Sequence, residues 1–308
     1  MNRKPRLDIA ALCAAAITAT LACASGGTPA PPTVVQPIIA GRTHELVWPV
    51  KTREQVDLWL HGFALLTNDS SAVPLFRPGY RDDLTVLKNK ANVLTQLDVN
   101  HDKLASRLAS SRSLINAQFV PFYFSSVEEM HGAIDRFIAS DGNPGAAKTQ
   151  VEAAQFAVLS GYFPSPADRI WLALFSSSLW DEDTKFYHSY WLQQQRERAN
   201  VIDSTTAMWQ HLVRPRITRF LNNTQQRDGD ILLSLPLGGE GRTLNASGAV
   251  RTSVAVNFPA RPADVPEAMY AIAHEIVGSV ANAAIADNTS PAEQREGVAD
   301  KLSGPATV

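Results

Sequence analysis

The sequence predicts an α+β protein that is mostly helical, with a small antiparallel sheet packed next to a buried helix over 264–286. Over most of the chain, apolar residues recur at spacings of three and four, as in Val56, Trp59, Leu60 and Phe63, which is the period of one helical face. The period changes to two in 230–237 and again in 251–258, which indicates two strands. We expect these strands to pair as a hairpin that spans 230–258.

The composition is that of an ordinary globular protein. The 308 residues are 45% hydrophobic and 19% charged, so the chain can bury a sizeable core. The formal net charge is -2, and no run of like charges occurs. Nucleic-acid partners are therefore not expected, because they require a basic surface.

Residues 1–22 are predicted to be a signal peptide of the lipoprotein type. Arg3, Lys4 and Arg6 form a basic start, and the apolar run from Ile9 to Ala24 is shorter than the roughly 20 residues of a membrane span. The run ends in Thr20-Leu21-Ala22-Cys23, which resembles a bacterial lipobox and would make Cys23 the lipidated first residue. As an alternative, Ala22-Cys23-Ala24 fits ordinary signal peptidase, which would release a soluble secreted or periplasmic protein.

Residues 23–43 are expected to form a flexible tether, and 44–308 a single helix-rich domain. The tether begins with a stretch rich in glycine and proline, from Ser25 to Pro32. We therefore expect an exported protein of the cell envelope that its lipid holds to the periplasmic or outer face of a membrane. Both cysteines, Cys13 and Cys23, precede the domain, so any metal ion in the domain needs ligands from histidine, aspartate or glutamate.

Two predicted helices in the middle of the chain carry histidines. Asp181-Glu182-Asp183 is expected to open the first, because carboxylates stabilise the positive N-terminal end of a helix. That helix continues with an aromatic set around His188, which is typical of core packing. The second helix, from Val201 to Leu221, contains His211 and is expected to kink at Pro215.

The helix over 264–286 draws attention because two polar residues lie at the centre of an apolar segment. Its start is well specified by Asp264 at the cap, by Pro266 in the first turn and by Glu267 three positions after the cap. Apolar residues surround the helix axis, which predicts burial on all sides. His274 and Glu275 would then cost several kcal/mol of desolvation unless they have partners.

The segment from Tyr270 to Gly278 resembles the active-site helix of the zincin metallopeptidases, and the order of elements resembles the gluzincins. Their motif is His-Glu-x-x-His. The resemblance implies that His274 binds zinc and that Glu275 is the general base. Gly278 stands where the motif has its second histidine, so the motif is degenerate.

The remaining ligands would have to come from elsewhere in the chain. Glu296 begins Glu-Gly-Val-Ala-Asp and is similar to the third, glutamate ligand of gluzincins; a solvated face of a short helix is the alternative interpretation. Other histidines could also approach through space, namely His61, His188 and His211.

The sequence thus predicts a lipid-anchored, zinc-dependent hydrolase that acts on peptides or proteins. The alternative is a non-catalytic binding or scaffold lipoprotein of the envelope that retains a degenerate zincin-like fold.

Overall fold

A computed structural model describes residues 47–67, 74–224, 226–244, 252–290 and 292–293. These residues all belong to one compact unit. The predicted signal peptide, the tether, the lipidation site Cys23 and the candidate ligand Glu296 lie outside the described residues.

The predicted fold class is confirmed, since 71% of the structure is helical and 8% is in strands of one small sheet. The longer helices before the sheet are α1 (Glu54–Leu66), α2 (Tyr80–Ala91), α4 (His101–Ser110), α6 (Val127–Ala139), α7 (Gln150–Tyr162), α8 (Pro166–Glu182), α9 (His188–Glu197), α10 (Ala199–Met208) and α11 (Arg214–Asn223). Two single-turn helices lie among them, α3 (Gln96–Val99) and α5 (Arg112–Ile115). Helix α12 (Val265–Asn288) follows the sheet. Among the described helices, none is both long enough and apolar enough to cross a membrane.

The sheet has four strands, β1 (Val50–Lys51), β2 (Gly229–Ser234), β3 (Arg242–Leu244) and β4 (Thr252–Asn257), in the order β1-β2-β4-β3. Strand β2 pairs in parallel with both β1 and β4. The expected antiparallel hairpin over 230–258 is therefore wrong in this detail. The antiparallel partner of β4 is β3, which lies on its other side.

The physical reason is that alternation identifies which residues of a strand share a face, and carries no information on strand direction. Every residue of β2 is buried, as is usual for a parallel strand covered on both faces. Ile231 and Leu233 pack into one apolar cluster with α12, while Leu232 packs into the larger cluster formed by the helices before the sheet. The sheet thus separates two cores.

The expectation that α12 is buried on all sides is also corrected. Its inner face, including Ile272 and Ile276, is fully buried against the sheet. On the opposite side, Tyr270 is 63% exposed. An apolar segment rich in alanine can form an outer helix of the fold, because alanine and glycine add little exposed apolar area.

The chain from Pro166 to Glu197 forms one continuous helical rod, so the expected helix start at Asp181 is wrong. Helix α8 passes into a π-helical segment, Asp183–Tyr187, and then directly into α9. A second π-helical segment, Trp209–Val213, comes shortly before Pro215, where the sequence predicted a kink. The carboxylates at 181–183 are thus inside a helix instead of at its N-terminus.

Candidate metal centre

The π-helical segment Asp183–Tyr187 places two polar side chains on the same side of the rod. The backbone N–H of His188 donates to the carbonyl of Asp183, which closes the wider π turn. Such single turns are rare within α-helices and are frequent at functional sites. Here the turn brings the side chains of Asp183 and His188 next to each other.

The third member of the cluster is Glu54, from the first turn of α1. Nδ1 of His188 lies 2.6 Å from Oε1 of Glu54, and one ligand atom from each of Glu54, Asp183 and His188 falls within 4.8 Å of the others. The side chain of His188 is 51% exposed, so an ion can reach the cluster from solvent. Among the described residues this is the one group of three that could hold a metal ion.

The electrostatics of the cluster favour an additional positive charge. Burial, together with the negative charges of Glu54 and Glu128, raises the pKa of Asp183 to about 6 against the opposing effect of His188. Oδ1 of Asp183 is inaccessible and has no hydrogen-bond partner in the described part of the chain. The hydrogen bond to Glu54 raises the pKa of His188. A cation between these groups would relieve the carboxylate repulsion and give Asp183 a partner.

The donor set suits a transition-metal ion. Imidazole nitrogen and carboxylate oxygen are both ligands of Zn²⁺, at about 2.0–2.2 Å. Tetrahedral geometry at those bond lengths separates neighbouring ligand atoms by about 3.3 Å. The 2.6 Å contact between Glu54 and His188 would therefore have to open slightly as the ion replaced the shared proton.

Three polar residues follow one side of α1, and each contacts the rod of α8 and α9. Glu54 contacts His188, and Asp57 accepts a hydrogen bond from Nε1 of Trp191 at 2.9 Å. Asp57 is 1% exposed, and burial raises its pKa to about 7. His61 completes this polar stripe. The candidate metal centre is its solvent-accessible end.

His61, one of the histidines that could approach a metal through space, belongs to a buried hydrogen-bond network in which both ring nitrogens have partners. Its Nε2 lies 3.3 Å from Oε1 of Glu182, and its Nδ1 lies 3.1 Å from the hydroxyl of Tyr80. Burial lowers the pKa of His61, and a neutral imidazole with the proton on Nε2 satisfies both contacts. His61 and Glu182 have no exposed surface.

Lys88 supplies the charge that balances Glu182. Its Nζ lies 2.7 Å from Oε2 of Glu182, and Thr95 also donates to that oxygen. Burial alone would raise the pKa of Glu182, but its contacts with His61 and Lys88 outweigh this effect and lower the pKa to about 2. The network is a buried ion pair that is fully hydrogen-bonded, which identifies it as part of the fold.

A serine, a histidine and an aspartate also form a chain of contacts on α6 and α8. Oγ of Ser176 lies 3.1 Å from Nδ1 of His131, whose Nε2 lies 3.4 Å from Asp135. Ser176 sits inside α8, where the backbone N–H groups are used by the helix. An oxyanion formed there would lack backbone donors, so the arrangement does not fit acyl transfer.

The zincin resemblance implicates His274, Glu275 and Glu296, and the structure describes the first two of these residues. Nδ1 of His274 lies 3.9 Å from Oε1 of Glu275, while Oε2 of Glu275 accepts a hydrogen bond from Thr243 at 2.8 Å. A Cβ added to Gly241, the residue before β3, would lie 2.6 Å from Cγ of Glu275, so the backbone at Gly241 packs tightly against this side chain.

Zinc requires three or more protein donors, and the described residues supply no such set around His274. His274 and Glu275 alone therefore do not fit a zinc site. The roles assigned to His274, Glu275 and Glu296 remain predictions, because Glu296 lies outside the described residues.

Sequence reasoning missed the importance of Asp183 and Glu54. Asp183 was expected to lie at the start of a helix, and Glu54 was not singled out. A usable signal was the concentration of Asp181, Glu182, Asp183 and His188 within an otherwise aromatic segment. The offset of five residues between Asp183 and His188 could not be interpreted without knowing that a π turn lies between them.

Comparison of the chain with protein-family models, with curated protein sequences and with solved structures gave no match.

Proposed function

We propose that this chain is an exported, lipid-anchored protein of the cell envelope that binds a divalent transition-metal ion through Glu54, Asp183 and His188. The observation that carries the proposal is the convergence of three ligand atoms within 4.8 Å, one of them from a residue 134 positions away in the chain. The raised pKa of Asp183 supports it, because burial and like charges disfavour the ionised carboxylate unless a cation is present.

Three protein donors leave a coordination position for water, which is the arrangement of metal sites that act on a bound ligand. Such an ion would supply Lewis-acid chemistry when bound. The chain itself contributes two carboxylates and an imidazole from rigid helices, with the imidazole half-exposed. Peptide-bond hydrolysis remains the activity implied by the resemblance, and a non-catalytic binding or scaffold role remains its alternative.

The metal site is tested by titrating the purified, chelator-treated chain with Zn²⁺ and Mn²⁺ in a calorimeter. Wild type is expected to bind one equivalent, and His188→Ala to lower the affinity by at least about 100-fold. His211→Asn is the matched control, because His211 is an exposed histidine in the other π-helical segment.

His274→Ala separates the two metal hypotheses. If His274→Ala abolishes binding while His188→Ala leaves it unchanged, the zincin-like site is the correct one and our assignment is wrong. If neither variant changes binding, or wild type binds no metal, the metal proposal fails and the non-catalytic role is favoured.

Export and anchoring are tested separately in a bacterial host. Wild type is expected to enter the detergent phase on phase partitioning and to carry a diacyl mass on Cys23, whereas Cys23→Ala should remain in the aqueous phase. Equal partitioning of both proteins would contradict lipidation at Cys23.

A further inference from the structure

A crevice of about 660 Å³ lies at the carboxyl end of the parallel strand β4. Asn257 ends that strand, and the residues 258–260 that follow it line the crevice. In open sheets with parallel strands, ligands bind outside the carboxyl ends of the strands. The volume is in the range of small-molecule sites. None of the three residues of the candidate metal centre lines this crevice.

One guanidinium that lines the crevice, that of Arg198, is held in place by hydrogen bonds. Nη1 of Arg198 donates to the carbonyl of Phe258 at 2.7 Å, and its Nε donates to Oε1 of Gln194 at 3.1 Å. The guanidinium also lies over the ring of Phe258, 5.3 Å from its centroid. Nη2 makes no contact with a partner in the described part of the chain. Arg198 therefore presents donors that are already oriented and partly desolvated, which suits a carboxylate.

The other charges of the crevice restrict the ligand further. Its charged lining residues are Arg77, Arg198, Asp82, Asp83, Asp264 and Glu267. Two of the carboxylates have partners, because Asp83 pairs with Arg77 at 2.9 Å and Asp264 pairs with Arg261 at 3.0 Å. Asp82 and Glu267 have no ion-pair partner among the described residues.

An acidic surplus opposes the binding of polyanions such as nucleotides. It does not oppose a ligand that carries one carboxylate and one amine. The carboxylate would bind Arg198, and the ammonium group would be attracted by Asp82 and Glu267.

We propose that this crevice binds a short peptide with both termini free, with its C-terminal carboxylate on Arg198 and its N-terminal amine near Asp82 and Glu267. The inference does not depend on metal binding, since it uses a different set of residues.

The test uses trialanine as the probe, titrated into the full chain in a calorimeter. Three comparison ligands have one charged terminus or none: N-acetyl-trialanine keeps only the carboxylate, trialanine amide keeps only the amine, and trialanine blocked at both ends has neither. Trialanine is expected to bind, and the doubly blocked peptide to bind at least about tenfold more weakly. Arg198→Lys, which keeps the charge and loses the fork-shaped donor geometry, is expected to weaken trialanine binding about tenfold.

Arg216→Lys is the matched control, because Arg216 is exposed on α11 and does not line the crevice. If Arg198→Lys fails to fold, Glu267→Gln takes its place; it should weaken binding of trialanine and leave N-acetyl-trialanine unaffected. The proposal is overturned if trialanine shows no heat of binding at about 10 mM. It is also overturned if the doubly blocked peptide binds equally well, or if the crevice variants bind trialanine as wild type does.

Discussion

His188 and Glu54 make a 2.6 Å contact between Nδ1 and Oε1, although 134 positions separate them in the chain. The contact joins the start of α1 to the end of the π-helical segment Asp183–Tyr187. It defines the accessible end of the polar stripe of α1, and with Asp183 it forms the candidate metal centre.

Removing the charge of Glu54 should lower the pKa of His188. The hydrogen bond and the negative charge of Glu54 raise that pKa in the metal-free protein. Glu54→Gln removes the charge and leaves at most a weaker hydrogen bond to a neutral amide oxygen. The measurement is an NMR titration of the His188 ring in the presence of a chelator. Glu197→Gln, on the exposed end of α9, is the control and should leave the titration unchanged. An unchanged midpoint in Glu54→Gln would contradict the contact.

Asp57 should make the stability of the fold depend on pH. Its folded pKa of about 7 exceeds the ordinary value of 3.8, so the folded state binds more protons between these values. The free energy of unfolding therefore falls as pH rises from about 4 to about 7, with a slope of at most about 1.4 kcal/mol per pH unit.

Asp57→Asn removes this slope because the amide does not ionise. One of the two donors to Asp57, Trp191 Nε1 or the Leu235 amide, would lose its acceptor, at a cost of about 1 kcal/mol. The variant should be less stable than wild type near about pH 3.5 and more stable from about pH 5 upward, as measured by urea unfolding. Asp203→Asn, at an exposed position, should follow the wild-type curve. Parallel curves for Asp57→Asn and wild type would show that Asp57 is ionised throughout.

Lys88 should be critical for stability because its removal leaves Glu182 charged and buried. Lys88→Met is expected to lower the free energy of unfolding by about 3–5 kcal/mol. The double variant Lys88→Met, Glu182→Gln should recover much of that loss, because the uncompensated charge is gone. Lys90→Met on the exposed side of the same helix is the control. A loss of less than about 1 kcal/mol in Lys88→Met would mean that Glu182 is not buried as an ion.

Gly62 should be required for the close approach of α1 to α8. A Cβ at this position would lie 2.7 Å from the Leu179 side chain and 2.8 Å from the Phe175 ring. Gly62→Ala is therefore expected to cost about 1–3 kcal/mol of unfolding free energy by overpacking.

Gly161 in α7 is the matched control, since an added Cβ there meets no atom within 4 Å. Gly161→Ala should stabilise the protein by about 0.5–1 kcal/mol, because alanine is the better helix former. Equal effects of the two substitutions in thermal and urea unfolding would contradict the packing.

The spacing of apolar residues predicted individual helices and strands well, because that spacing reflects the structure of a single element. The three-and-four spacing of Val56, Trp59 and Phe63 predicted α1, and the alternation in 230–237 and 251–258 predicted β2 and β4. The direction of β2 relative to β4 did not follow, because alternation is the same in parallel and antiparallel sheets.

The polar residues of α1 show the same difference between positions within one helix, which the sequence predicts, and contacts between helices, which it does not. Glu54, Asp57 and His61 can be placed on one side of a helix from their spacing alone. Their partners on the rod of α8 and α9 could not be predicted, because the register of that rod changes at the π turn after Glu182. A π turn rotates every following side chain relative to the α-helical pattern.

The sequence by itself determined the helix-rich α+β class, the strand segments and the helix that carries His274 and Glu275, because these depend on the periodicity of neighbouring residues. Only the tertiary structure decided that Glu54, Asp183 and His188 meet, that Glu182 is balanced by Lys88, and that a charged crevice lies at the end of β4. Those relationships join residues far apart in the chain, and they depend on helix packing and strand order, which local spacing does not encode.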